Sequence, residues 1–203
     1  MRTPSPVMLA TRNAGKVREF DRLLSGTFVV RALPSGLKLP PETGDTFAAN
    51  ARLKAEAVFA ELGGVCAVLA DDSGLEVAAL GGRPGIFSAR FAGEGAGDAD
   101  NVAKLLSELS GEVDRRARFV CALCLVRPSR GGAHGVMEVQ GSTNGFITAS
   151  PRGLDGFGYD PVFRPEGWES TLAEASPEDK DAVSHRGAAA RALLARLAEV
   201  GAD

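Results

Sequence analysis

Residues 7–24 read VMLATRNAGKVREFDRLL, and this stretch predicts a β-strand, a polar turn and an α-helix in succession. Val7 to Ala10 are apolar, as expected of a short buried strand. After the turn, apolar residues recur at the spacing of one helix face, at Val17, Phe20, Leu23 and Leu24. The polar turn, residues 11–16, is therefore expected at the carboxyl end of a strand.

Strand and helix patterns alternate along the rest of the chain. In chain order they predict a strand at 27–32, a helix at about 46–62, a strand at 66–70, a helix at 98–109, strands near 118–126 and 135–148, and one helix from Ser176 to the end. The strand at 66–70 runs into a second polar turn at 71–74, and a hairpin or long loop joins the two later strands. Such alternation predicts an α/β fold with a mixed sheet.

Composition restricts the class of protein. The 203 residues suit one or at most two domains, and 44% hydrophobic with 24% charged residues is ordinary globular composition. A net charge of −3 argues against binding to a nucleic-acid backbone, which requires a basic face. No apolar run has the length of a signal peptide or a membrane span, so we expect a cytoplasmic protein with no nucleic-acid or membrane partner.

The three cysteines are odd in number and give no disulfide framework. Cys121 and Cys124 have C-x-x-C spacing, but residues three apart in a strand point to opposite faces. We interpret them as buried core residues, because a cysteine thiol behaves as a small hydrophobic group.

The polar turn after the first strand is a candidate phosphate cradle. A strand-to-helix turn offers backbone N–H groups and the positive end of a helix dipole, and Thr11, Asn13 and Lys16 add a hydroxyl, an amide and a cation. The turn is not a Walker A loop, because Ala10 and Val17 stand where that motif needs Gly and Ser or Thr. A solvated loop with a lone lysine is the plainer alternative.

Three acidic residues with no histidine near them in the sequence are candidate ligands for a hard cation. Glu42, Asp71 and Asp72 are carboxylates, and the only histidines of the sequence are His134 and His185. A metal held by carboxylates and phosphate oxygens would be Mg²⁺-like. Asp-Asp pairs at strand ends are also common without any metal.

The last third of the chain carries a candidate base-binding set. Lys180, Ser184, His185 and Arg186 are predicted on about two turns of one helix, and His and Arg side chains can donate hydrogen bonds to a carbonyl such as that of a 6-oxopurine. A base could stack on an aromatic ring of the segment 157–160. The alternatives are a basic solvated helix face and aromatic rings that only anchor a loop.

These segments together resemble the inosine triphosphate pyrophosphatase family, also called XTP/dITP diphosphatases, over about residues 7–198. Six ordered motifs carry the resemblance: TRNAGK (11–16), PETG (41–44), ADDSGL (70–75), GGRPGIFSAR (81–90), GFGYDPVF (156–163) and EDKDAVSHR (178–186). The family implies one ITPase-like nucleotide pyrophosphatase domain over residues 1–203. It also implies a long, twisted, mixed sheet flanked by helices, two lobes with an active-site cleft between them, and a homodimer.

The resemblance also implies a role for individual residues. Glu42 and Asp72 would bind Mg²⁺, and Asp72 would in addition be catalytic by activating water. Thr11, Asn13 and Lys16 would hold the triphosphate, with Arg12, Ala14 and Gly15 completing that turn. The remaining substrate-binding residues would be Ser73, Phe157, Gly158, Tyr159, Asp160, Lys180, His185 and Arg186. The chain departs from the pattern at Ala48-Ala49, where relatives often place an acid before Asn50.

The leading hypothesis is therefore an enzyme that hydrolyses ITP, dITP and XTP to the monophosphate and pyrophosphate. A related pyrophosphatase acting on pyrimidine or modified nucleotides is the nearest alternative, and the Ser184-His185-Arg186 segment favours the 6-oxopurine. A catalytically silent nucleotide sensor is an alternative of another class. The presence of both Glu42 and Asp72 favours turnover.

Overall fold

The computed structural model of the chain describes residues 3–129 and 134–200. Six strands are present in these ranges: β1 (Ser5–Leu9), β2 (Phe28–Ala32), β3 (Ala67–Val77), β4 (Arg116–Arg127), β5 (Gly135–Ile147) and β6 (Phe163–Pro165). The same ranges contain five α-helices: α1 (Ala14–Leu23), α2 (Phe47–Glu61), α3 (Asp98–Glu108), α4 (Pro177–Val183) and α5 (His185–Val200). The predicted α/β class is confirmed.

The strands form one sheet in the order β2-β1-β3-β4-β5-β6. β1 runs parallel to both β2 and β3, with Val7 opposite Val30 and Ala67. β5 runs antiparallel to β6, with Gly145 opposite Pro165. The sheet is therefore mixed, as predicted. β6 was not predicted, since a three-residue strand that contains a proline gives no periodic pattern.

The chain folds into two compact units. The first unit comprises the described residues of 1–72, 121–141 and 186–203. Its core contains alternate residues of β1 together with apolar residues of α1, β4 and α5, among them Leu9, Phe20, Leu123 and Leu193. Cys121 belongs to this core, and Cys124 is also fully buried, which confirms that both are core residues.

The second unit comprises residues 73–120 and 142–185. Its core gathers apolar side chains of β3, α3, β4, β5 and the loop around residue 160, including Leu75, Leu105, Phe119, Tyr159 and Phe163. Phe119 and Phe163 pack with their ring centroids 4.5 Å apart. This core carries the segment 157–160 that the sequence indicated for base binding.

The predicted polar turn at residues 71–74 is wrong. β3 continues for 11 residues from Ala67 to Val77, so Asp71 and Asp72 lie inside a strand. Both carboxylates are buried, and each forms an ion pair with a lysine. A carboxylate with such a partner is tolerated within a buried strand, which explains why β3 does not end where its sequence becomes polar.

The predicted single C-terminal helix is also wrong, because it is interrupted at Ser184. Ser184 has extended backbone angles, φ −69° and ψ 156°, between α4 and α5. The hydroxyl of Thr143 donates to the carbonyl of Val183 at 2.6 Å, a carbonyl that an unbroken helix would bond to its next turn. Lys180 therefore lies on α4, whereas His185 and Arg186 begin α5.

The connection between β4 and β5 was predicted to be a hairpin or a long loop. β4 and β5 are neighbours in the sheet, as a hairpin requires, but residues 130–133 of the predicted connecting loop lie outside the described residues.

Among the residues that are described, no helix is long and apolar enough to cross a membrane.

Candidate functional site

The turn between β1 and α1 is held by its own side chains. Asn13 caps α1, because its side-chain oxygen accepts hydrogen bonds from the backbone N–H groups of Gly15 and Lys16 at 2.8 and 3.2 Å. The hydroxyl of Thr11 accepts from the N–H of Asn13 at 3.2 Å. Arg12 turns to the 33–37 loop, where its guanidinium donates to the carbonyls of Leu33 and Leu37. The turn therefore presents the first turn of α1 in a fixed geometry.

Lys16 forms an ion pair with Asp71. Its ammonium lies 2.7 Å from a carboxylate oxygen of Asp71, whose side chain is fully buried. Burial by itself raises the pKa of Asp71, but the charges of Lys16, Lys54 and Arg186 outweigh it and bring the pKa down to about 2. Asp71 is therefore a fixed anion that holds the Lys16 ammonium in place.

The neighbouring carboxylate, Asp72, interacts with a different lysine. The ammonium of Lys54, on α2, lies 3.1 Å from Asp72 and 2.6 Å from Glu42. Burial raises the pKa of Asp72 above its ordinary value, with Lys54 opposing the rise and Glu42 adding to it. Burial disfavours the charge of Lys54, but the three nearby carboxylates outweigh it and raise the pKa of Lys54. Two predicted metal ligands thus converge on one cationic group.

Asn50 ties the loop that carries Glu42 to the strand that carries Asp72. Its amide nitrogen donates to Asp72 at 3.2 Å, and its amide oxygen accepts from the N–H of Gly44 at 2.7 Å. A Cβ atom at Gly44 would lie only 2.8 Å from this amide oxygen and from the side chain of Ala49. Glycine is therefore required at this position for the loop to approach α2 so closely.

The residues present fit a divalent cation at Glu42 and Asp72. The carboxylates of both residues bind the same ammonium, so their oxygens are already aimed at one cation position. No group of three or more His, Cys, Asp and Glu side chains able to hold a metal occurs within residues 3–129 and 134–200. The remaining ligands of such an ion would have to be water or phosphate oxygens.

In the second unit, the segment 156–160 is organised around Asp160. A carboxylate oxygen of Asp160 accepts from the backbone N–H of Phe157 at 2.8 Å and from the ammonium of Lys180 at 2.7 Å. The same ammonium lies 5.1 Å from the centre of the half-buried Phe157 ring. A Cβ atom at Gly156 would clash with this carboxylate, so the turn needs glycine there.

Tyr159 is an anchor of this segment. Its ring is 4% exposed, and its hydroxyl donates to the backbone carbonyl of Ser88 at 2.8 Å. Burial raises the pKa of Tyr159 well above its ordinary value. Phe157 presents more surface than Tyr159, so Phe157 is better placed to stack against a ligand. A substrate contact of Tyr159 stays a prediction.

His185 and Arg186 are consecutive but belong to different units. The His185 ring is buried and stacks on Phe119, with the centroids 4.5 Å apart and the planes at 12°. The guanidinium of Arg186 pairs with the carboxylate of Glu19 at 3.1 Å, and both side chains are buried. Ser73, also a predicted substrate residue, lies within β3 and is half-buried. The base-binding roles of His185 and Arg186 and the substrate contact of Ser73 stay predictions.

Three residues of the first unit were missed by the sequence analysis: Glu19, Asn50 and Lys54. Asn50 and Lys54 are buried at positions four residues apart on α2, next to the apolar residues Ala51 and Ala55. Polar side chains that recur at the spacing of a buried helix face indicate a buried polar site. This signal could have identified Asn50 and Lys54. Glu19 occupies the corresponding kind of position beside Phe20 in α1.

A family model described as the Ham1 family matches residues 7–196, nearly the whole chain. The chain belongs to the Ham1 family. Two Ham1 relatives named dITP/XTP pyrophosphatase come from Bacillus licheniformis and Halorhodospira halophila. The first is 47% identical over 196 residues, which are 94% of this chain and 97% of the relative. The second is 50% identical over 196 residues, 95% and 96% of the two chains.

Solved Ham1 structures agree with the fold. The Ham1 protein of Staphylococcus aureus has a TM-score of 0.82 and 39% identity, over 96% of this chain and 99% of the other. A nucleoside-triphosphatase, also titled dITP/XTP pyrophosphatase, from Mycobacterium abscessus has a TM-score of 0.69 and 44% identity, over 95% and 98%. These matches confirm both the α/β fold and the family resemblance that the six motifs indicated.

Proposed function

We propose that this chain hydrolyses noncanonical purine nucleoside triphosphates, namely ITP, dITP and XTP, to the nucleoside monophosphate and pyrophosphate. Such an activity would clear deaminated purines from the nucleotide pool. The observation that carries the proposal is the pairing of adjacent carboxylates on β3 with two lysines, Asp71 with Lys16 and Asp72 with Lys54. The relatives named dITP/XTP pyrophosphatase support the class of substrate.

The triphosphate would bind at the turn before α1. Thr11, Asn13 and Lys16 supply a hydroxyl, an amide and a cation. Arg12 belongs to the turn, whereas Ala14 and Gly15, predicted in the turn, begin α1. The helix dipole of α1 favours an anion at this end. The Lys16 ammonium, already positioned by Asp71, would neutralise charge on phosphate oxygens.

A divalent cation, which we propose to be Mg²⁺, would be held by the carboxylates of Glu42 and Asp72, which now pair with Lys54. When bound, such an ion lowers the pKa of coordinated water and neutralises phosphate charge. Asp72 would accept the proton of the water that attacks the α-phosphorus. The bond from that phosphorus to the oxygen bridging to the β-phosphorus then breaks, and pyrophosphate leaves with the bonding electrons.

The nucleobase would be bound by residues from the two C-terminal motifs, and Ser73 would also bind the substrate. Phe157 would stack on the base, and Gly158, Tyr159 and Asp160 would shape that segment. Lys180 would help to hold the charge of the leaving pyrophosphate. His185 and Arg186 would donate hydrogen bonds to the 6-oxo group. A 6-amino group in ATP would leave those donors without an acceptor, which gives the discrimination.

The assembly and the location of the enzyme are part of the proposal. Residues 1–203 would act as one ITPase-like nucleotide pyrophosphatase domain, since one family model spans both compact units. We propose a homodimer in the cytoplasm, where the nucleotide pool is found. Light scattering at micromolar concentration should give twice the mass of the 21.0 kDa chain, and a monomer would contradict the dimer.

The proposed activity is tested with a panel of nucleoside triphosphates. ITP, dITP and XTP are compared with ATP, GTP, CTP and UTP by pyrophosphate release, with and without Mg²⁺. We expect release only with Mg²⁺ and a much higher kcat/KM for the first three. Equal hydrolysis of ATP and ITP would contradict the specificity, and preference for CTP or UTP would support the pyrimidine alternative. The Asp72→Asn variant, purified identically, controls for a contaminating phosphatase.

A further inference from the structure

Hydrogen bonds hold three consecutive residues of the segment 157–160, which we call the aromatic segment. Their partners are Asp160, Asp98 and Ser88. The N–H of Phe157 donates to Asp160, and the hydroxyl of Tyr159 donates to the carbonyl of Ser88. Between them, the backbone N–H of Gly158 donates to the carboxylate of Asp98, at 2.6 Å. Asp98 is the first residue of α3, 60 positions earlier in the chain, and lies outside all six motifs.

The contact between Asp98 and Gly158 is short and charge-assisted. A carboxylate that accepts from a backbone N–H forms a stronger hydrogen bond than a neutral oxygen does. Gly158 has φ +63°, in the left-handed region that favours glycine. Its N–H is the peptide hydrogen directly after Phe157, so a bond at this hydrogen restrains the backbone that orients the Phe157 ring.

The partner elements of this segment are themselves fixed. The hydroxyl of Ser88 accepts from the N–H of Leu75 at 2.8 Å and donates to the carbonyl of Gly85 at 2.6 Å. The side chain of Asn101, one turn after Asp98 on α3, bonds to the backbone at Ala89 and Ala92. The start of α3 and the Ser88 segment therefore form one hydrogen-bonded support for residues 157–159.

We propose that Asp98 is a positioning residue for the nucleobase: its carboxylate holds the Gly158 N–H and so keeps the Phe157 ring in the orientation that stacks on the base. This inference rests on the proposed function. Asp98 acts through the segment 157–159 and touches no reacting atom. Its effect is therefore confined to ligands that contain a base.

The test compares Asp98→Ala with Asp100→Ala. Asp100 lies in the same turn of α3 and also accepts from a backbone N–H, that of Gly97, at 3.1 Å, but it has no bond to the aromatic segment. Both variants lose one negative charge and one hydrogen bond that a backbone N–H donates to a carboxylate, from Gly158 in Asp98→Ala and from Gly97 in Asp100→Ala. We expect KM for ITP to rise about fivefold in Asp98→Ala with kcat nearly unchanged, because base stacking is lost equally in ground and transition states. Asp100→Ala should keep the KM of the unaltered chain.

Two further measurements separate positioning from a general loss of structure. Inorganic tripolyphosphate, which has no base, should inhibit Asp98→Ala and the unaltered chain with the same Ki. Asp98→Asn keeps an acceptor oxygen and should recover most of the lost KM. Equal KM in Asp98→Ala and Asp100→Ala, or weaker tripolyphosphate inhibition in Asp98→Ala, would overturn the inference. If the unaltered chain cleaves no nucleoside triphosphate, the proposed function itself fails.

Discussion

The two candidate regions differ in how their charged groups are held. In the first unit, Lys54 is bound by the same two carboxylates that we propose as metal ligands, so that ion pair must open before a metal can bind. In the second unit, Asp160 and Asp98 bind backbone N–H groups of the aromatic segment, and those bonds can persist when a ligand arrives. The proposed metal ligands of the first unit would therefore exchange partners on binding, whereas the segment 157–160 of the second unit would keep its backbone hydrogen bonds.

The same contrast exists within β3, between two adjacent residues. Asp71 is fully buried and has its pKa lowered to about 2. Asp72 is slightly less buried and has its pKa raised. A raised pKa favours a group that accepts a proton, whereas a lowered pKa favours one that remains charged. This difference favours our proposal that Asp72 is the base, while Asp71 pairs with Lys16.

The Asp72→Asn variant should show the largest effect. We expect kcat to fall by about 10³-fold while nucleotide binding is retained, because the amide fills the same space but accepts no proton. In ¹⁸O-labelled water, the unaltered chain should place the label in the nucleoside monophosphate. Label in pyrophosphate would move the attack to the β-phosphorus, and an active Asp72→Asn would move the base to another residue, with Asp71 the first to test.

Lys16→Ala should reduce turnover of every nucleotide by a similar factor, about 10²-fold. The lysine would act on phosphate oxygens, which all nucleoside triphosphates share. Arg18→Ala is the matched control, since Arg18 is an exposed cation on the same helix. Near-normal kinetics in Lys16→Ala would show that the turn is only a connection between β1 and α1, and a loss confined to ITP would assign Lys16 to the base.

Lys54→Met tests whether the first unit exchanges partners. Without the ammonium, Glu42 and Asp72 should bind a divalent cation more tightly, by about tenfold, because no internal charge competes. Mn²⁺ titration of the nucleotide-free protein measures this affinity directly. Arg52→Met is the control, because it removes an exposed charge that pairs with Glu56 on the same helix. Equal Mn²⁺ affinity in both variants would contradict the exchange.

Local sequence predicted much of this architecture. The β1-turn-α1 unit and the helices near residues 47–61 and 98–108 follow from apolar spacing and capping residues, which act within a few positions. The continuation of β3 through Asp71 and Asp72 was missed because it depends on Lys16 and Lys54, both distant in sequence. Lys54 was overlooked because a lone lysine in a predicted helix resembles an exposed residue. Its partners Glu42 and Asp72 are not its neighbours in the sequence.

The break at Ser184 was missed for the same physical reason. Apolar residues continue from Val183 to Leu193 at helical spacing, so the pattern alone favours one helix. The interruption depends on the Thr143 hydroxyl, 40 positions earlier, which binds the Val183 carbonyl. The sequence predicted Lys180, His185 and Arg186 on one helix, but the break places Lys180 on α4 and the other two on α5. Each of the three instead has its own buried surroundings.

The smallest expected effect concerns discrimination by His185 and Arg186. In His185→Ala, the ratio of kcat/KM for ITP over ATP should fall about fivefold. The variant lacks a hydrogen-bond donor that we propose for the 6-oxo group, and the loss of that donor removes a penalty against the 6-amino group of ATP. Arg186→Ala should lower the same ratio, but this substitution also removes the ion-pair partner of buried Glu19. The thermal stability of Arg186→Ala is therefore compared with that of Glu19→Gln, which breaks the same pair. A fall in the ratio in Arg186→Ala that Glu19→Gln does not share would assign Arg186 to the base. Equal losses for ITP and ATP in both alanine variants would show that neither residue distinguishes the bases, and would leave the aromatic segment of the second unit as the part of the molecule where specificity is to be sought.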